Sequence, residues 1–254
     1  MEKAVPSALQ AFFSDHPRLA LAFSGGTDSA YLLYAALACG CDVRAYCAQS
    51  AFQPAFERED ALRLARQLGA GLRLVPVDPL ADAAIRANPA DRCYHCKRAV
   101  FTALTAAARA EGYDTMIDGT NASDDAGDRP GMRALGELNI LSPLRLCGIA
   151  KAQVRMYSRE AGLFTWDKPA YACLATRVPT GTALSAELLQ RIEGAEAALF
   201  KLGFTDFRCR VYHGAARLQF RADQLEEAAA RRKEIRVALS PHFDIILLDT
   251  EDRG

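Results

Sequence analysis

The sequence predicts an α/β protein, a parallel sheet covered on both faces by helices and followed by a smaller α+β unit. Three observations carry this. Short apolar runs alternate with longer stretches of helical periodicity through the first two-thirds of the chain, the signature of strand–helix–strand units whose strands are buried on both sides. Glycines stand where the helical runs should stop, at Gly69 and Gly112, as a left-handed helix cap requires. A Ser-Gly-Gly loop joins the first apolar run to the first helical one, at the kind of strand end where such sheets collect ligands.

Taken in order, residues 19–23 read as a strand, 30–39 as a helix, 43–48 as a strand, 56–68 as a helix and 72–77 as a strand. Cys93-Tyr94-His95-Cys96 reads as a connection between structured segments, and 97–109 as a helix. Residues 115–117 form a short strand running into Asp118-Gly119-Thr120-Asn121. That loop and the Ser-Gly-Gly loop both lie at strand carboxyl ends, so they are expected to share one nucleotide. A helix over 151–161 precedes an irregular stretch, 162–181, with Pro169, Pro179 and the only tryptophan, Trp166. A hinge is expected there, dividing a nucleotide domain, 1–180, from a small α+β domain, 181–254. In the latter we read helices at 186–202 and 223–239 and strands at 207–212, 216–220 and 243–248.

With 31 basic and 31 acidic residues the formal net charge is zero, so no overall field attracts a polyanion such as tRNA. The longest apolar stretch, near 30–41, falls short of the ~20 residues a spanning helix needs. The first 14 residues lack a signal-peptide layout. A cytoplasmic protein without nucleic-acid or membrane partners is expected. In such a chain eight cysteines read as reduced thiols, metal ligands or nucleophiles rather than disulfides. Cys39, Cys41, Cys47 and Cys147 sit among apolar or helix-end residues and read as packing.

Ser24-Gly25-Gly26-Thr27-Asp28-Ser29 carries the clearest chemistry. Adjacent glycines let the backbone turn so that its N–H groups converge, and a following helix start adds unpaired donors and partial positive charge. No Gly-x-x-x-x-Gly-Lys-Ser/Thr string occurs, so the phosphate-gripping lysine of the ordinary P-loop is missing. Backbone amides and the Ser24 and Ser29 hydroxyls must hold the anion, which suits a pyrophosphate better than a transferred phosphoryl group. The six residues alone also fit a turn that caps a helix with Asp28 or Ser29 as N-cap; the flanking strand and helix favour the phosphate site.

Cys93 and Cys96 form a Cys-x-x-Cys, with Cys173 far downstream in the irregular stretch. The pair alone is compatible with redox chemistry, zinc, iron–sulfur ligation or no chemistry at all. Tetrahedral zinc would want His95 as a fourth ligand; three thiolates suit a 4Fe–4S cluster with one iron open to extra sulfide. Lys168 and Arg177 flank Cys173. Cationic neighbours there would favour a thiolate, which is both nucleophile and metal ligand; the competing reading is of solvated loop charges.

Ser-Gly-Gly-Thr-Asp-Ser resembles the PP-loop of ATP pyrophosphatases, which activate substrates by adenylation. Asn88-Pro89-Ala90-Asp91-Arg92-Cys93, Asp118-Gly119-Thr120-Asn121, Arg129-Pro130-Gly131, and Trp166-Asp167-Lys168-Pro169 running on to Ala172-Cys173-Leu174-Ala175-Thr176-Arg177 narrow the resemblance. Together they resemble the LarE family, the sulfur insertases of nickel-pincer nucleotide cofactor biosynthesis, over most of the chain. The implied fold is the PP-loop, adenine nucleotide alpha hydrolase-like and Rossmann-like sheet.

The resemblance implies that ATP, with Mg2+, adenylates a carboxylate of pyridinium-3,5-biscarboxylic acid mononucleotide, and that sulfur then displaces AMP to leave a thiocarboxylate. It places Ser24, Gly25, Gly26, Thr27, Asp28, Ser29, Gly119 and Thr120 around the nucleotide, with Asp28 and Cys173 catalytic. The cysteine matching Cys173 either gives up its own sulfur or, with Cys93 and Cys96, holds a 4Fe–4S cluster that passes on sulfide from a donor; the triad favours the cluster. Arg208 and Arg210 match arginines that bind the substrate phosphate, and strand alternation puts both on one face. Glu196 matches an acidic metal-binding residue, whereas Gln219 stands where the family has glutamate, which weakens any second metal site. Asp124, Asp125 and Asp128 lie in a Gly-containing loop, where acidic residues are more often turn formers than magnesium ligands. A homo-oligomer is implied, and relatives commonly continue past the position of Gly254.

Two other enzymes and one binding module compete. A PP-loop tRNA thiolase would share the loop and the cysteines but calls for a basic surface. An ammonia-using synthetase of the NAD synthetase type would adenylate a carboxylate without needing cysteines. An ATP-binding sensor on the same sheet would release no pyrophosphate.

Overall fold

The computed structural model describes residues 5–124 and 130–252. In chain order its elements are α1 Ser7–Asp15, β1 Arg18–Ala22, α2 Thr27–Ala38, β2 Asp42–Gln49, α3 Ala55–Leu68, β3 Leu72–Pro76, α4 Ala83–Arg86, α5 Arg92–Arg109 and β4 Met116–Ile117. There follow α6 Pro130–Glu137, α7 Pro143–Leu146, α8 Lys151–Glu160, α9 Ala186–Lys201, β5 Arg208–Tyr212, β6 Ala215–Gln219, α10 Ala222–Ala230, α11 Arg232–Leu239 and β7 Ile246–Leu248. The protein is α/β, with a four-stranded all-parallel sheet flanked by helices and a separate small sheet. The chain divides into two compact units: Met1–Ser50, Ala55–Val77 and Asp91–Ala170 form the first, and Ala51–Pro54, Asp78–Ala90 and Tyr171–Gly254 the second. No helix among the described residues is long and apolar enough to cross a membrane.

In the first unit the strand order is β3-β2-β1-β4. β1 is central, pairing Leu19 with Val43 on one side and Leu21 with Ile117 on the other. Because the chain moves outward from β1 in both directions, the crevice at the carboxyl ends of β1 and β4 is the switch point of the sheet. α2 is buried along most of its length, through Ala30, Tyr31, Leu32, Leu33, Ala35 and Ala36, so it packs between the sheet and an outer layer rather than lying on the surface. One core, with Leu19, Leu21, Leu32 and Val154, fills one face of the sheet; a second, with Ala20, Tyr46, Phe101 and Leu104, fills the other. Alternation along β1 sends Leu19 and Leu21 to the first and Ala20 to the second.

In the second unit β5 and β6 form an antiparallel hairpin, with β7 parallel to β6. The two-residue turn, His213-Gly214, has φ of 47° and 81°, the paired positive values of the tight hairpin turn that matches strand twist. The buried phenylalanines Phe204, Phe207, Phe220 and Phe243 form the aromatic part of this unit's core.

Two local expectations are corrected. Cys93 to Cys96 is not a connection: the helix starts at Arg92, and the Tyr94 N–H already bonds the Asp91 carbonyl at 2.8 Å. Polar residues around the cysteines hide the apolar period there. The stretch 223–239 is two helices, because Arg231 leaves helical geometry at φ −90° and ψ 17°. Its guanidinium bonds Glu227 on one side of the break and Glu234 on the other, at 2.6 and 2.8 Å.

Candidate functional site

The loop after β1 is built so that only glycine serves at its turn. Gly25 has φ +75°, and a β-carbon there would sit 2.9 Å from both the Ala61 Cβ and amide nitrogen. Gly26, not Asp28 or Ser29, is the N-cap of α2, and it has no side chain to occupy the first amides of the helix. The hydroxyls of Ser24 and Ser29 face each other at 3.1 Å, the Gly26 N–H points to Ser24 Oγ at 3.3 Å, and Ser29 Oγ donates to the Gly26 carbonyl at 3.2 Å. Thr27 Oγ1 donates to the buried Thr165 carbonyl at 2.8 Å. Thr27 therefore anchors the loop, while the two serines line it.

The loop after β4 meets this turn directly. A β-carbon on Gly119 would lie 2.9 Å from the Ser29 amide nitrogen, so the chain can pass here only as glycine. Asp118 is buried and accepts from Ser142 Oγ at 2.6 Å and from Thr120 Oγ1 at 2.5 Å. Its carboxylate organises the segment rather than facing a ligand. The sequence-predicted grouping of residues 24–29 with Gly119 and Thr120 is thus one crevice in space.

Asp28 lies at the mouth of that crevice with two partners. Lys151 Nζ is 2.5 Å from its Oδ2, and Asn121 Nδ2 donates to its Oδ1 at 3.4 Å. Burial pushes the Asp28 carboxyl up from its ordinary range; Lys151 and Arg155 oppose that shift, and the charge of Asp124 adds to it. Asp124 also receives the Asn121 N–H at 2.9 Å. Asp28 and Asp124 are hard oxygen donors of the kind Mg2+ takes, and an amide-lined glycine turn beside them suits its phosphates. Asp125, Asp128 and Arg129 lie outside the described residues. Lys151 is a residue the motifs did not flag; a single lysine at the start of a helix carries no local signal.

Cys93 and Cys96 sit near the start of α5, three residues apart and so on one side of the helix. Cys93 is exposed, Cys96 half-exposed, and none of the eight cysteines is joined in a disulfide. The His95 ring stands 3.4 Å from Asp91. Their accessibility and spacing suit two thiolate ligands of a cluster. Among the described residues no group of three or more His, Cys, Asp or Glu is gathered to hold a metal ion.

Cys173 belongs to the second unit, at the start of a 3-10 turn, Leu174–Arg177. Its carbonyl accepts from Thr176 Oγ1 at 2.7 Å. Arg177 underlies the turn, donating to the Ala172 carbonyl at 3.1 Å and Thr176 Oγ1 at 2.9 Å. Far from being a solvated loop charge, Arg177 is 1% exposed and pairs with Glu196, also 1% exposed, through Nε to Oε1 at 2.8 Å and Nη2 to Oε2 at 3.3 Å. Burial opposes the Arg177 charge, but Glu196 outweighs it and raises the pKa. Glu196 also accepts the Cys209 N–H at 2.9 Å and the Tyr171 hydroxyl, so both its oxygens are engaged. Lys168, in the first unit, is likewise paired, with Asp60 at 2.7 Å. Neither Tyr171 nor Asp60 was marked by any sequence motif.

Arg208 and Arg210 share one face of β5, opposite Gln219 and Arg217 of β6. Burial, and after it the Arg177 charge, pulls the Arg208 guanidinium down to about 10. Burial is the larger cause, so the shift reports a guanidinium held away from water, with the Asp206 carboxylate 3.7 Å away. Gln219 accepts from Arg210 Nε at 2.6 Å and donates to Asp249 at 2.8 Å, and Asp249 also pairs with Arg217 at 2.6 Å. A glutamate at 219 would face Asp249 with like charge, so the amide fits this network where the acid would not.

No protein-family model matches the chain. The chain is 37% identical over 220 residues to an uncharacterised protein of Synechocystis sp., covering 86% of this chain and 82% of that one. It is 34% identical over 215 residues to the pyridinium-3,5-bisthiocarboxylic acid mononucleotide synthase of Lactiplantibacillus plantarum, covering 84% and 78%. An uncharacterised protein of Methanocaldococcus jannaschii is 29% identical over 218 residues, covering 86% and 83%.

Proposed function

The chain belongs to the LarE family of sulfur insertases, and from that membership we propose that it converts the carboxylates of pyridinium-3,5-biscarboxylic acid mononucleotide to thiocarboxylates at the expense of ATP. The observation that carries the reading is the amide-lined turn of residues 24–29 closed by Gly119 at the switch point of the sheet. A carboxylate oxygen is a poor leaving group, and adenylation cures that. The substrate carboxylate attacks the α-phosphorus of ATP, the bond to the β,γ-phosphates breaks, and pyrophosphate leaves into the Ser24 and Ser29 loop. A sulfur nucleophile then attacks the acyl carbon and AMP departs with the bonding pair.

In this reading Ser24, Gly25, Gly26, Thr27, Ser29, Gly119 and Thr120 hold the nucleotide, and Asp28, with Asp124 beside it, holds Mg2+. Arg208 and Arg210 grip the substrate phosphate. Cys93, Cys96 and Cys173 would hold a 4Fe–4S cluster, which when bound supplies the transferable sulfide; without it, Cys173 gives up its own sulfur. Residues 1–180 serve the nucleotide and residues 181–254 the substrate and a homo-oligomeric contact, in a cytoplasmic enzyme.

Three measurements test this. Pyrophosphate release from ATP that depends on the pyridinium dicarboxylate supports adenylation, and its absence overturns it. About four iron and four acid-labile sulfide per chain, on protein purified without oxygen, supports the cluster. A mass loss at Cys173 after turnover, without iron, replaces the cluster by sacrifice of that cysteine.

A further inference from the structure

The core of the second unit is left open at the β7 edge of its sheet. β6 and β7 run side by side, with Ala216 beside Ile246 and Leu218 beside Leu248, so these four share one face. Ala216 and Leu218 are buried, whereas Leu248 stays 37% exposed and Ile245, just before the strand, 59%. A cavity of about 460 Å3 opens there, lined from the sheet by Leu218, Ile246 and Leu248 and from α10 and α11 by Ala228 and Ile235. Apolar side chains on the core side of a sheet that leave such a space unfilled make a floor for a ligand.

The rim of the cavity carries the opposite chemistry. Arg232, Lys233 and Arg236 border it from α11, at spacings that put them on one side of the helix. One acid, Asp244, stands with them. The acids nearest in sequence are engaged elsewhere: Glu227 and Glu234 both bond the Arg231 guanidinium, at 2.6 and 2.8 Å, across the break between α10 and α11. Other arginines of this unit, Arg177, Arg208, Arg217 and Arg221, each pair with a carboxylate. Arg232 instead donates to the Ala229 carbonyl at 3.3 Å, and none of Arg232, Lys233 and Arg236 forms an ion pair among the described residues. Cations gathered at the start of a helix oppose its dipole, and an anion between them would relieve that.

We propose that this cavity binds a small organic anion, a phosphate or carboxylate with an apolar ring, whose body rests on Leu218, Ile246 and Leu248 and whose charged group is gripped by Arg232, Lys233 and Arg236. The volume falls in the range of small-molecule pockets. Guanidinium groups hold a phosphate or carboxylate through paired, charge-assisted hydrogen bonds. Inorganic phosphate lacks the apolar body and a neutral ring lacks the charge, so neither satisfies both halves of the site. The inference is independent of the adenylating function proposed above.

The test uses the full chain and 1-naphthyl phosphate as the probe, with 1-naphthol and inorganic phosphate as its two halves. Backbone hydrogen exchange locates the site on the wild type without any variant: adding the probe should slow exchange over residues 232–248. Half-protection there should need about tenfold more of either half than of the whole probe. In the Arg232→Gln/Arg236→Gln double variant, which keeps the buried Ile235 and Leu239 of α11, the naphthyl phosphate concentration for half-protection should rise about tenfold, while that for naphthol stays within about twofold. Protection of other segments only, or protection over 232–248 that persists unchanged in the double variant, overturns the proposal. So does exchange over 232–248 that ignores the probe and slows instead as the protein is concentrated, which assigns this surface to a second copy of the chain.

Discussion

Gly119 passes so close to Ser29 that a β-carbon on it would lie 2.9 Å from the Ser29 amide nitrogen and 3.2 Å from its Cα. The contact is backbone against backbone, so no side chain can turn aside to relieve it. It joins the loop after β4 to the first turn of α2. Gly119→Ala is therefore expected to force the two loops apart, at about 1–3 kcal/mol of stability. Its damage to Mg·ATP affinity should exceed its damage to the melting temperature. Gly136→Ala, on α6 where a β-carbon meets nothing within 4 Å, is the control and should leave Mg·ATP affinity unchanged while holding or slightly raising the melting temperature.

The Arg177–Glu196 pair is the second place where one substitution should reach far. Both groups are buried and share two hydrogen bonds, so Arg177→Met strands a carboxylate in the core, at about 3–5 kcal/mol. It also removes the donors that hold the Ala172 carbonyl and Thr176 hydroxyl around Cys173. Chemical denaturation should show the loss, and thiol labelling of Cys173 in the native state should quicken. Glu196→Gln, which keeps an acceptor for the Cys209 N–H, should cost less. Equal costs in the two variants would contradict this order.

The strands and helices of the first unit were legible because their period is local. Residues 19–23, 43–48 and 72–77 read as strands from apolar runs, and Gly69, at φ +63°, closes a helix where its sequence position indicated. The helix start at Arg92 was not legible, since Cys93, His95 and Cys96 interrupt the apolar period. The break at Arg231 was not either, having neither glycine nor proline to announce it. The same division holds for the site. The Ser24 to Ser29 loop is a contiguous string and could be read; Lys151 with Asp28, and Arg177 with Glu196, are made by tertiary folding and leave no spacing to find.

Glu111 gives a prediction about pH. Tyr46 Oη donates to it at 2.8 Å, Arg44 pairs with it at 2.8 Å, and Arg73 bonds its other oxygen. The Tyr46 hydrogen bond, followed by those two cations, holds the Glu111 carboxyl below its ordinary value of 4.5. Stability from a depressed acid is present in full above the unfolded pKa and is lost as pH falls through the folded one. Glu111→Gln should thus melt earlier than wild type at neutral pH, and the gap should close in acid below 4.5. A gap that stays constant with pH would assign the loss to packing.

The two catalytic candidates should separate by step. Asp28 faces the phosphate loop, with Lys151 and Asn121 on its two oxygens, whereas Cys173 stands at the head of a turn in the other unit. If Asp28 holds the metal on the phosphates, Asp28→Ala lowers substrate-dependent pyrophosphate release by about a hundredfold, and thiocarboxylate formation falls with it. If Cys173 serves only sulfur delivery, Cys173→Ala leaves pyrophosphate release at the wild-type level while no thiocarboxylate forms, and acyl-adenylate accumulates. Measuring pyrophosphate and thiocarboxylate in the same reaction distinguishes these fates. Loss of pyrophosphate release in both variants to the same degree would mean that the cysteine, or the turn that Arg177 holds around it, takes part in activation, and the division between the two steps would fall.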